Sequence, residues 1–288
     1  MGSHTDFSEA DLAALRRAKY ELETPPLGMK LAAIVGAPVE KLIAKLPGAA
    51  SDKVNDATQA ALRKCLQIAL KTLGKQAEGT LEIGGAGATG AAAGSKPGAR
   101  PSNLLHKFAV ATTGAAGGAF GLFALPVELP VTTTLMFRSI CDIARSEGED
   151  LTNADTQLQC LTVFGMGGRS ADDDEADFGY FIVRGALAQA VSKASSEMAT
   201  KGFAAHSSTA LLKLMQTVAA RFSVQVSEQV AAKSIPAIGA VLGAMVNTVF
   251  IDHFQNVAHG HFTVHKLERR YGEAAVHAAY DGIDVALD

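Results

Sequence analysis

Two long stretches of this chain carry no charge, so any fold it adopts must either bury them or present them to an apolar medium. Residues 108–127 read FAVATTGAAGGAFGLFALPV and residues 234–251 read SIPAIGAVLGAMVNTVFI. At 20 and 18 residues they fall near the roughly 17–25 residues that cross a bilayer as a helix. Both carry small-xxx-small spacings, Gly114/Gly118, Gly117/Gly121 and Gly239/Gly243. Glycines four apart share one helix face and let a second backbone approach closely. Neither stretch is leucine-rich, and Pro126 and Pro236 interrupt their ends. Three settings therefore stay open: spanning helices, an embedded or surface-bound helical hairpin, and a pair of helices inside a water-soluble core.

Composition supports close helix packing. Apolar residues make up 48% of the chain, yet aromatics are only 6% and Trp is absent, while there are 28 glycines. Mean hydropathy is +0.16. Such a chain gains contact by backbone approach more than by bulky rings. A net charge of −3 and no extended basic patch argue against nucleic acid as a partner. Three widely spaced cysteines, Cys65, Cys141 and Cys160, do not suggest a disulfide framework and suit a reducing compartment. The first twelve residues are polar and acidic, without a basic-then-apolar leader pattern. The location expected is cytoplasmic, peripheral to or partly embedded in the inner membrane.

The periodicity is helical almost throughout, and no segment shows the sustained alternation of a half-buried strand. Ser8 followed by Asp11 resembles a capping box, and Pro25-Pro26 ends the first helix. Gly36 and Pro38 divide residues 29–47 into two short helices. Residues 51–73 place Val54, Ala57, Ala61, Cys65 and Ile68 roughly on one face, with Gly74 as the expected stop. Further helices are expected over 104–125, 131–147, 154–166, 175–202, 209–233, 236–265 and 273–280. Seven glycines with Pro97 and Pro101 mark residues 75–103 as a linker or loop. The expected organisation is an N-terminal helical region, 1–74, the Gly-rich linker, 75–103, and a helical domain, 104–288. The fold class is all-α, a multi-helix bundle with two central Gly/Ala-rich apolar helices.

Several stretches in order, ALPVELP (124–130), TTTLMFRSICDIARSEGEDL (132–151), LQCLTVFGMGG (158–168), FGYFIVRGAL (178–187) and HFQNVAHGHFTVHKLERRYG (253–272), resemble the EcsC family. The resemblance covers about residues 104–272. It implies an α-helical bacterial protein, and the family's namesake is encoded beside components of an ABC transporter. It brings no catalytic or ligand-binding residue with it.

A few polar groups stand where they are costly. Glu128 lies between Pro126 and Pro130 at the end of the first apolar run, and Arg138 and Asp142 are spaced to share a helix face. The three are expected to form a polar cluster at the mouth of a helical cavity, the alternative being a solvated prolyl turn beside a surface pair. His253, His259, His261 and His265 fall close together, and His261/His265 at i,i+4 are weak candidate metal ligands. An H-E-x-x-H pattern is absent, because Phe262 follows His261. The acidic run 172–175 reads as a solvated helix start. Gly85 to Gly90 matches G-x-G-x-x-G, but no helix-forming stretch and no acidic residue follow at the right distance, so no nucleotide site is read from it. No G-x-S-x-G elbow is present, and no cofactor is expected.

Three functions remain. The first is a non-enzymatic, membrane-associated helical protein with membrane lipid or a membrane protein, such as a transporter subunit, as partner. The second is a soluble carrier holding a lipid or other apolar small molecule in a helical cavity. The third is an uncharacterised hydrolase-like enzyme built on the Glu128 cluster or the histidines.

Overall fold

The computed structural model describes residues 7–23, 26–46, 48–77, 125–167, 179–201, 208–234 and 239–284. Among them the chain forms ten helices and no strand. In chain order these are α1 (Glu9–Glu23), α2 (Leu27–Val35), α3 (Val39–Ile43), α4 (Gly48–Ala77) and α5 (Leu125–Ser146). They continue with α6 (Ala154–Met166), α7 (Tyr180–Lys201), α8 (Thr209–Lys233), α9 (Gly239–Tyr271) and α10 (Glu273–Asp281).

Local chemistry sets the helix ends. Ser8 Oγ accepts from the Asp11 N–H at 3.1 Å, one half of a capping box. In place of the reciprocal bond, the Ser8 hydroxyl donates to Asp11 Oδ2 at 2.8 Å. Asn153 caps α6 through the Asp155 N–H, and Ser208 caps α8 through the Leu211 N–H. Gly36, at φ 69°, closes α2 in the left-handed conformation that glycine adopts without strain.

Several expected boundaries moved; α9, for one, runs six residues past the expected 265, to Tyr271. Helix α4 runs through Gly74 to Ala77, because one glycine costs only about 1 kcal/mol in a helix interior and tertiary packing outweighs it. Helix α5 begins at Leu125 and continues through Pro126 and Pro130, where a prolyl turn and a fresh helix from 131 were expected. Pro126 lies in the first turn, where its missing N–H has no intrahelical partner to lose. Pro130 forfeits a single backbone bond. The buried face of Leu125, Leu129, Thr132, Met136, Phe137 and Ile140 holds the helix together across it.

Helices α8 and α9 are central. Helix α8 packs against α2, α3, α4, α6, α7 and α9, and α9 against α1, α2, α5, α6, α8 and α10. Between them Phe222 of α8 and Phe250 and Phe254 of α9 meet Phe164 of α6, with neighbouring ring centroids 4.9–6.1 Å apart. The N-terminal helices expected as a separate region share this core. Leu27, Leu31, Leu62 and Leu70 are buried in one cluster with Phe137, Phe164 and Phe254, and α4 lies along α5. A smaller cluster joins α1, α7, α9 and α10 through Leu15, Ala18, Tyr180, Leu267 and Tyr280. Helix α1 crosses α9 at Gly260, where a Cβ would come within 2.7 Å of Leu22 Cγ and 2.9 Å of the Ala18 carbonyl oxygen.

Of the two apolar stretches, the first lies outside the described residues except for its last three. The second enters at Gly239 and forms only the start of α9, a 33-residue helix that runs on into Asp252 and the histidines. Among the described residues no helix is long and apolar enough to cross a membrane.

Candidate functional site

Three contacts fix how α5 and α9 lie together. Near the start of both, Lys233 reaches Glu128 of α5 and Asn247 of α9. Midway, Gln255 donates to Ser139 Oγ at 2.7 Å. Just past the end of α5, Glu147 meets Lys266 at 3.1 Å. The partners advance together in number, so the helices run parallel. Both helices therefore begin at the same end of the molecule, and each is preceded by, or opens with, an uncharged stretch.

A polar knot closes the core at that end. Lys233 Nζ lies 2.5 Å from Glu128 Oε1 and 3.1 Å from Asn247 Oδ1, which also accepts from Gln229 Nε2 at 2.6 Å. The lysine and glutamate side chains are only 9% and 11% exposed. Glu128 sits in the first turn of α5 and Lys233 is the last residue of α8, so each charge is placed where its helix dipole favours it. A cavity of about 30 Å³, room for about one water, lies beside the pair and is lined by Leu125, Leu129, Thr132 and Val230.

Near the knot four apolar side chains are exposed. Val127 and Val131, one turn apart on α5, are 73% and 46% exposed. On α9 Val241 and Met245 are 75% and 47% exposed, while Gly243, Val246 and Asn247 are buried. From Val241 onward the second uncharged stretch is thus covered on one side and open on the other.

The expected polar cluster is not assembled. Glu128 is drawn to Lys233, a residue about a hundred positions away that spacing could not suggest. Arg138 lies ten residues along α5, about 15 Å by helical rise, and is exposed. Asp142 pairs instead with Arg145, at 3.4 Å. Of the candidate packing glycines, Gly239 opens α9 and Gly243 is buried within it, whereas Gly114, Gly117, Gly118 and Gly121 lie outside the described residues. The acidic run 172–175 and the Gly-rich stretch 78–103 also lie outside them.

The histidines take up separate tasks. His261 is buried, its Nδ1 hydrogen-bonded to the Tyr180 hydroxyl at 2.8 Å, and burial holds it well below its ordinary pKa and neutral. The His265 ring stacks obliquely 5.2 Å away and its Nδ1 faces Glu149 at 3.4 Å. Burial alone would raise the Glu149 pKa, but bonds from His265 and Arg269 hold it below the usual carboxylate value. His253 donates from Nε2 to the Gly167 carbonyl at 2.5 Å. Burial, helped by the charge of Lys30, brings its pKa down to about 4. Among the described residues no group of three or more His, Cys, Asp or Glu side chains is placed to hold a metal ion.

Two further features were not read from the sequence. Arg184 and Glu268 form a bidentate pair, at 2.6 and 2.5 Å, largely shielded from water. Glu228 of α8 lies over the first turn of α2, where Gly28 leaves room for its carboxylate. Burial, with the charge of Glu40 adding, pushes the Glu228 pKa up to about 7. Neither residue shares a sequence neighbourhood with its partners, so no local pattern marks them. None of these shifted groups lines the cavity beside Glu128.

The model of the EcsC protein family matches residues 9–267, extending the match to all four N-terminal helices. No curated protein and no solved structure matches the chain significantly.

Proposed function

This chain belongs to the EcsC protein family, and we propose that it is a non-enzymatic, membrane-associated helical protein that meets lipid with the end where α5 and α9 begin. The observation that carries the reading is the exposure of Val127, Val131, Val241 and Met245 on two parallel helices at one end. Fully burying a valine or methionine side chain contributes roughly 1.5–3 kcal/mol. The four are 46–75% exposed, so entering the acyl boundary together contributes roughly 4–7 kcal/mol. The buried Glu128–Lys233 pair supports the same reading, since it binds the start of α5 to the end of α8 directly behind that surface. The helices need not cross the bilayer for this; the mode is insertion of an apolar end, as in interfacial proteins. A membrane protein presenting an apolar face is the alternative partner for the same surface.

Flotation of the purified chain with vesicles of phosphatidylethanolamine and phosphatidylglycerol tests it. The protein is expected to rise with the vesicles. Val127→Asp combined with Val241→Asp is expected to leave it at the bottom of the gradient with its melting temperature unchanged. Protein that stays with the soluble fraction in the absence of any substitution refutes the proposal.

A further inference from the structure

On the flank of the molecule, away from the α5–α9 end, α4 and α8 leave a groove of about 510 Å³ between them. This lies within the roughly 300–1,000 Å³ of small-molecule sites. Its floor is apolar: Leu62, Leu66 and Leu70 come from α4, and Leu211, Met215 and Ala219 from α8. The α4 wall carries two stripes side by side. Asn55, Gln59, Arg63 and Gln67, four apart, form a polar rim bearing N–H donors, and the leucines run beneath it from Leu62, beside Arg63, to Leu70. That leucine stretch spans about 12 Å by helical rise, close to the ~15 Å that one leaflet's acyl chains occupy.

Charge decides among occupants. Among the described residues Arg63 is the sole charged one lining the groove, and its hydrogen-bond partner is the neutral Gln59, whose Oε1 accepts from Nη2 at 2.8 Å. Among α4 side chains the nearest carboxylate, Asp56, lies two turns away from Arg63 and does not line the groove. A guanidinium with no carboxylate beside it among the described lining residues, at the edge of an oily trough, matches a ligand with one anionic head and one apolar chain. Planar carboxylate recognition is what arginine does best. The volume suits a single chain.

We propose that the α4–α8 groove binds a long-chain fatty acid, its chain along Leu62, Leu66 and Leu70 and its carboxylate on Arg63. This goes beyond the membrane-docking role and does not rest on it, because the groove shares no residue with the α5–α9 end.

The experiment titrates the full chain with 11-(dansylamino)undecanoic acid below its micellar concentration, then displaces it with laurate or dodecanol. Saturable uptake of one probe per chain is expected, with laurate displacing about tenfold more strongly than the uncharged alcohol. Arg63→Gln should bring laurate down to the alcohol's affinity and leave the alcohol's unchanged. Ala219→Phe should abolish uptake of all three by filling the trough. Should that variant unfold, Leu212→Glu, on the half-exposed rim, serves in its place. The proposal is overturned by any of four results: no saturable uptake, equal displacement by acid and alcohol, an unchanged laurate affinity in Arg63→Gln, or sedimentation showing a dimer that Ala219→Phe dissociates. The last would mean that a second copy occupies the groove. Failure of vesicle flotation leaves this proposal intact, and a negative titration leaves the flotation result intact.

Discussion

Lys233→Met separates the two charges of the knot and predicts a large, one-sided loss of stability. Methionine retains much of the lysine stem but leaves the Glu128 carboxylate, only 11% exposed, without its counter-ion. Removing one partner of a buried pair costs about 3–5 kcal/mol. The position of Glu128 in the first turn of α5 returns roughly 0.3–1 kcal/mol through the helix dipole. Asn247 keeps its bond from Gln229, so no second polar group is orphaned. The expected loss is therefore about 3 kcal/mol, equivalent to a fall in Tm of roughly 6–12 °C for a chain of this size. Glu128→Leu combined with Lys233→Met removes both charges and refills the space with apolar atoms. That double variant should lie within about 1 kcal/mol of the parent or exceed it, as buried pairs replaced by hydrophobic groups often do. Urea unfolding followed by circular dichroism, for the parent, both single variants and the double, gives the coupling energy directly. A single-variant cost under about 1 kcal/mol, or a double-variant cost equal to the sum of the singles, would refute the argument, because either means that water already screens the pair.

Other perturbations read different parts of the fold. Glu228, with its folded pKa raised from 4.5 to about 7, binds its proton more tightly in the native state than in the unfolded chain. Its contribution is present below pH ~4.5 and is lost as pH rises toward 7, by up to about 3 kcal/mol. The stability advantage of Glu228→Gln over the parent should accordingly grow between pH 5 and 8 in urea titrations; a difference independent of pH contradicts the buried placement. Gly260→Ala should cost about 1–3 kcal/mol by forcing Leu22 and the α1 backbone away from α9, and hydrogen exchange should show α1 loosening first. Tyr180→Phe leaves both nitrogens of buried His261 without a partner, since Nε2 already lacks one. It should destabilise the chain by about 1–3 kcal/mol, readable as a shift in the urea midpoint.

What the sequence disclosed follows the range of its signals. Helices α6 and α8 fall on the residues expected from apolar periodicity, 154–166 and 209–233, and the structure shows Asn153 and Ser208 capping their starts. Pro130 misled because a proline's local penalty is visible while the six buried side chains that outweigh it are not. Glu128 drew notice as a carboxylate at the end of an apolar run, but the partner expected for it was the nearest cation in number, whereas the cation beside it in space is Lys233. Lys233, Lys266 and Arg269 each reach a glutamate more than a hundred positions away. No periodicity reports such pairs; the parallel placement of α5 and α9 creates those of Lys266 and Arg269, and the meeting of the end of α8 with the start of α5 creates that of Lys233. The α4–α8 groove was invisible for the same reason, as its two walls are separate amphipathic helices until the fold sets them side by side.

Helix α9, at 33 residues, is a strut about 50 Å long by helical rise. One tip is the oily pair Val241 and Met245, and the other carries Arg269 and Arg270. At physiological salt a charge is felt over only about 8 Å, so the guanidinium tip is electrically deaf to whatever the oily tip touches. Attachment there should be indifferent to added salt and to headgroup charge. Any news of it can reach the far tip only as movement of the strut itself.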